Sequence, residues 1–181
     1  MKHFFLVLAC LSFISSFGQQ DSSNVLNAQQ FHDVILDQGG TWIAENPDYD
    51  STNEKDFTFF LLLFERDAMG TVHATVSGMT GKNEVIQFWK VLEFVDAAKD
   101  QVHFIQTGEM GYAISQSQFR SPVERVCEFE LNWKGGFVEK NRDMHTLKGH
   151  DRFTSVSSVY DEETRTWNDS SKLEWNRDVA E

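Results

Sequence analysis

Apolar and polar residues change rhythm once along this chain. Between 23 and 38 the apolar positions Leu26, Phe31, Val34 and Ile35 recur at helical spacing; Ser22 or Ser23 can cap the start, and Gly39-Gly40 can close the end in a left-handed turn. From Thr41 onward the period drops to two. Alternating or wholly apolar segments follow one another at 41–45, 57–66, 71–78, 84–95, 101–107, 112–120, 123–133, 137–147, 153–160 and 171–177. Turn-forming residues separate most of them, among them Asp67 to Gly70, Thr80 to Asn83, Gly108 to Gly111, Ser121-Pro122 and Lys134-Gly135-Gly136. No helical stretch recurs between the strands, which excludes a βαβ sheet. A long series of hairpins has two raw edges to dispose of, and closure into a barrel removes both. The pattern therefore predicts an all-β fold, an antiparallel up-and-down β-barrel of about ten strands with one short N-terminal helix. A two-sheet sandwich is the rival.

Two segments depart from simple alternation. The run 57–64 is apolar on both faces, with Phe57, Phe59, Leu61 and Leu63 on one and Phe60, Leu62 and Phe64 on the other. Something must cover its outer side, and the N-terminal helix is the expected cover, a dimer contact the alternative. In 123–133 the apolar face (Val123, Cys127, Phe129, Leu131, Trp133) carries Arg125 inward with it. The return strand depends on the turn at Lys134-Gly135-Gly136. A three-residue loop points Glu139, Asn141, Asp143 and His145 inward, with His145 opposite Arg125; a two-residue turn points Val138, Lys140, Arg142, Met144 and Thr146 inward. In either register Arg125 needs a partner, because a buried unpaired charge is too costly to keep. Asp143 with His145, or the carboxylate of a ligand, are the expected partners.

The first residues read differently from all of this. Met1-Lys2-His3, an apolar run to Phe17 and the small residues Ser16 and Gly18 form the pattern of a secretory signal peptide over 1–18, which leaves 19–181 as a single domain. The apolar run is shorter than the ~20 residues of a membrane-spanning helix. Cleavage before Cys10 with lipid anchoring is the alternative. Removal of 1–18 leaves Cys127 as the one cysteine, hence no internal disulfide, and a small buried core residue is its expected role. Among the 181 residues, sixteen phenylalanines and five tryptophans supply a sizeable core, and a net charge of −12 argues against a nucleic-acid partner.

Gly40-Thr41-Trp42, following a short helix and opening the first strand, resembles the Gly-x-Trp signature of the lipocalin-like (calycin) barrels. The stretch Tyr160 to Trp167 is similar to the late hairpin of secreted bacterial lipocalin-like domains of unknown function. The resemblance implies that Trp42 plugs the closed end and that a basic residue of the last strand, here Arg177, packs over it. Both are structural residues on that reading. A count near ten strands departs from the eight usual in lipocalins.

Catalytic signatures are scarce. There is no glycine-rich phosphate loop, no His-Glu-x-x-His and no Gly-x-Ser-x-Gly, so an enzyme is not expected. His145 and His150, flanked by Asp143 and Asp151, have spacing compatible with a divalent metal, but a solvated turn is the simpler reading and no metal or other cofactor is expected. His73 and His103 read as lone wall histidines; a haem-binding barrel would need one of them inside. The expected function is binding of a small apolar or apolar-acidic molecule in the lumen of a secreted or periplasmic, monomeric or homodimeric protein. Arg125, Asp143 and His145 are the candidate ligand-binding residues, with Arg142 for the alternative register and His103 on the wall. A structural or interaction barrel with a packed lumen is the second reading, and an enzyme using the same pocket the third.

Overall fold

The computed structural model describes residues 27–99 and 101–178. The signal-peptide segment, Cys10, Leu26 and the helix-capping serines lie outside the described residues. A helix, α1 (Asn27–Leu36), and a single 3-10 turn (Asp37–Gly39) lead into ten strands: β1 (Thr41–Glu45), β2 (Phe57–Arg66), β3 (Val72–Thr80), β4 (Val85–Asp96), β5 (Gln101–Gly108), β6 (Gly111–Ser121), β7 (Glu124–Trp133), β8 (Val138–Leu147), β9 (Arg152–Asp161) and β10 (Thr166–Arg177). Each strand pairs antiparallel with its chain neighbours, and β1 also pairs with β10, so the sheet closes and no edge is left. The expected all-β barrel with one short helix is the fold observed.

The turn between helix and barrel needs its glycine. Gly40 has φ +67°, and a Cβ there would stand 2.1 Å from the Phe64 carbonyl oxygen, so the chain passes β2 at a distance that only a hydrogen side chain allows. Phe64 N–H donates to the Gly40 carbonyl at 2.9 Å across the same approach.

The helix does not lie where the apolar run 57–64 suggested. It crosses the end of the barrel rather than the outside of β2, and Phe31 and Ile35 enter one buried cluster with the inward residues Trp42, Leu62, Phe64, Val72, Leu147, Phe153 and Trp175. An open barrel end exposes more apolar surface than one strand's outer face, so the helix's apolar stripe gains more by stopping the end. Leu63 on the outer face of β2 stays exposed. At the other end of that strand a bulge between Phe57 and Phe59 turns Phe57 toward Phe60 and Phe88, whose rings lie 6.2 and 4.9 Å from it.

β10 begins at Thr166, ahead of the expected 171, because the polar stretch from Asn168 to Ser171 continues the ladder with β9 through a bulge. Ser158 Oγ donates to Asp169 Oδ1 at 2.9 Å there, so side chains that look like a loop in sequence hold two strands together. The β7–β8 hairpin has the three-residue loop. Trp133 N–H donates to the Phe137 carbonyl, Gly136 takes φ +82°, and Arg125 lies opposite His145.

Candidate ligand-binding lumen

The stopped end is built around Trp42 and Arg177, which face one another in the β1–β10 ladder. The Arg177 guanidinium carbon sits 4.1 Å from the centre of the fully buried Trp42 ring. Its nitrogens donate to the carbonyl oxygens of Val34, Asp37 and His150, and Trp42 Nε1 donates to the Ile35 carbonyl at 3.0 Å. The orphan carbonyls at the C-terminal end of the helix are thus taken up by the plug pair.

Above this floor the lumen holds a cavity of about 470 Å³. Its lining is divided by strand. β2 to β7 contribute a mostly apolar wall, with Leu62, Val76, Val91, Phe104 and Phe129 interrupted by Glu93, Gln106 and Arg125; β8 to β10 contribute the polar Glu139, Asn141, Asp143, Ser155, Ser157 and Ser171 beside apolar residues such as Val159 and Leu173. The division follows from the hairpin loop, whose length sends the polar set of β8 inward.

Arg125, on the floor side of the cavity, is 5% exposed and is partnered inside the protein. Its Nη2 lies 2.6 Å from Glu93 Oε1 and its Nε donates to Ser117 Oγ at 3.0 Å. The second oxygen of Glu93 meets His32 Nε2 of the helix at 2.8 Å. Burial by itself would raise the Glu93 carboxyl, but the Arg125 charge and the His32 hydrogen bond outweigh it and hold the group at about 2. His32 Nδ1 is buried without a hydrogen-bond partner among the described residues.

Asp143 and His145 line the cavity, as the three-residue loop requires, but neither is the ion-pair partner of Arg125. Burial pushes the Asp143 carboxyl up, with Ser157 and the more distant Arg125 charge acting against it. Burial, and then Arg125, push His145 down to about 3, so its imidazole is neutral at physiological pH. Burial likewise raises the Cys127 thiol to about 12, and the residue sits in the apolar wall with Phe104 and Phe129.

Arg142 and His103 lie outside the lumen. Arg142 belongs to the register that the hairpin does not adopt; its guanidinium packs 4.6 Å from the centre of the Trp167 ring, beside Lys140 over Tyr160. His103 faces Asp96 at 3.8 Å on the outer side of β5, and His73 faces Asp67 at 3.3 Å, so neither wall histidine supplies an interior ligand. The four residues weighed for a metal are separated: Asp143 and His145 point into the lumen, while His150 and Asp151 sit in the loop after β8, beside Arg177.

Glu93, His32 and Ser117 are the members of the site that patterning did not single out. Glu93 carries a usable signal, being the one charged position on the face Trp89-Val91-Glu93-Val95. His32 sits on the apolar stripe of the helix, one position after Phe31, where a buried polar group also needs a partner. Comparison of the chain with protein-family models, with curated proteins and with solved structures finds no match.

Proposed function

We propose that this is a secreted or periplasmic carrier, similar in build to the lipocalin-like barrels, that holds a small amphipathic molecule in its lumen and does no chemistry on it. The observation that carries the reading is the cavity of about 470 Å³ above a floor sealed by the helix. A barrel whose role is structural gains nothing from leaving that space unfilled, since a void forfeits contacts on every side. The side chains with catalytic potential in the wall are set against catalysis: Cys127 is held as the thiol and His145 is buried, away from the proton affinity of a working base. The Gly-x-Trp plug with its arginine supports the kinship.

Purification from the native host followed by native mass spectrometry tests the reading, together with titration by the environment-sensitive fluorophore N-phenyl-1-naphthylamine. A co-purifying small molecule, or saturable one-to-one binding displaced by apolar competitors, is the expected result. A protein that carries nothing and leaves the fluorophore dark favours the packed structural barrel instead.

A further inference from the structure

Which head group the lumen accepts follows from how its charges are already paired. Arg125 is the lumen's guanidinium, and its charge is taken by Glu93 at 2.6 Å, with Ser117 on Nε. A ligand carboxylate reaching it would have to compete with a buried carboxylate already in place, at a like-charge penalty. His145 is neutral and adds no positive charge. On the facing wall the balance has the other sign. Glu139 accepts from Asn141 Nδ2 at 3.2 Å, and Asp143, next along β8, has the Ser157 hydroxyl opposite it and no ion pair among the described residues. Ser155, which accepts from Trp175 Nε1 at 2.9 Å, borders the same wall, so this side of the lumen is rich in acceptors.

We propose that the lumen is selective for amphiphiles with a primary ammonium head, which sits at Asp143 among Ser155, Ser157 and Asn141 with its apolar body along the β2–β7 wall. An ammonium has three donors and no acceptor, and it supplies the direct ion-pair partner that Asp143 lacks among the described residues, where Arg125 acts on it only from farther off. A carboxylate of the same length supplies the wrong sign to every uncompensated group on that wall. The inference rests on the carrier reading and deepens it.

The test is a matched series of dodecylamine, dodecanol and sodium dodecanoate, each titrated against the processed protein at pH 7 by displacement of N-phenyl-1-naphthylamine. Dodecylamine is expected to bind at least about tenfold more tightly than dodecanoate, the ratio that ~1.4 kcal/mol of charge-assisted hydrogen bonding gives. Asp143→Asn, with its fold checked by near-ultraviolet circular dichroism, is expected to bring that ratio to within about threefold. This second arm separates the site from the general attraction of a cation to an acidic protein, since the variant leaves nearly all of that attraction in place. Equal or tighter binding of dodecanoate overturns the inference and leaves the carrier reading standing, as does an amine preference that survives Asp143→Asn. Failure of all three probes and of the fluorophore to bind the unmodified protein overturns both. Where Asp143→Asn does not fold, salt takes its place: an amine preference that persists at about 0.5 M salt supports the site, and one that disappears there is the general attraction and overturns the inference.

Discussion

His32, on the helix that stops the barrel, and Glu93, on β4, meet at 2.8 Å although 61 residues separate them in the chain. The contact ties the one helix to the wall from inside, and Arg125 on β7 completes it from the other side of Glu93. Three elements remote in sequence therefore share one buried carboxylate.

Breaking that arrangement from one side is expected to be severe. Glu93→Gln leaves Arg125 buried without its counter-ion, and a loss of about 3–5 kcal/mol is expected in chemical denaturation. The double variant Glu93→Leu with Arg125→Met removes both charges and is expected to recover at least half of that loss. A double variant as unstable as the single one would show that the pair does more than neutralise itself.

Two lumen groups give stability an acid limb. The folded state holds Glu93 at about 2 against an ordinary 4.5, so its contribution, on the order of 3 kcal/mol, is complete above pH 4.5 and is lost as pH falls toward 2. His145 is lowered from 6.5 to about 3, so the unfolded chain gains a proton that the folded chain refuses, and stability falls from pH 6.5 downward. Asp143, raised by burial, acts in the opposite sense as pH falls. Urea midpoints measured from pH 8 to pH 4 are expected to decline in the parent, and His145→Gln is expected to flatten the part between 6.5 and 4.5. An unchanged slope in that variant would assign the limb to other groups.

Trp42→Ala is expected to cost about 3–5 kcal/mol through the cavity it leaves at the floor. Arg177→Met keeps much of the volume but strips the carbonyls of Val34, Asp37 and His150 of their donor, so about 2–4 kcal/mol is expected. Thermal unfolding followed by tryptophan fluorescence measures both. An Arg177→Met loss below about 1 kcal/mol, which the cation–π contact alone can supply, would mean that those hydrogen bonds contribute little.

Cys127 gives a probe of opening. With its thiol raised to about 12 and its side chain in the apolar wall, it is expected to resist disulfide-exchange reagents at pH 8 in the native protein and to react fully in denaturant. Rapid modification of the native protein would place the residue on an accessible surface.

The barrel was legible because its signals are local: alternation of period two, short turns, and one helix ending in Gly39-Gly40. The inward placement of Arg125 was legible too, from the apolar face it shares with Cys127 and Phe129. Its partner was not. Glu93 lies in a strand whose alternation is blurred by Phe88, Leu92 and Phe94 on the other positions, and the pairing is set by closure of the sheet, which no local window contains. The seat of the helix at the barrel end was not legible for a similar reason. The apolar run 57–64 announces that something covers it, but the area exposed at a barrel end exists only after ten strands have closed.

The hairpin loop at 134–136 has a consequence for the charge of the interior. β8 carries carboxylates at Glu139 and Asp143 on one face and the cations Lys140 and Arg142 on the other, so it encodes two lumens of opposite sign, of which one is displayed. Which of the two faces the lumen is set by the pairing at the loop: with Trp133 opposite Phe137 the carboxylates point inward, and with Trp133 opposite Val138 the cations would. A turn at an exposed tip thereby sets the sign of the charge that the interior displays.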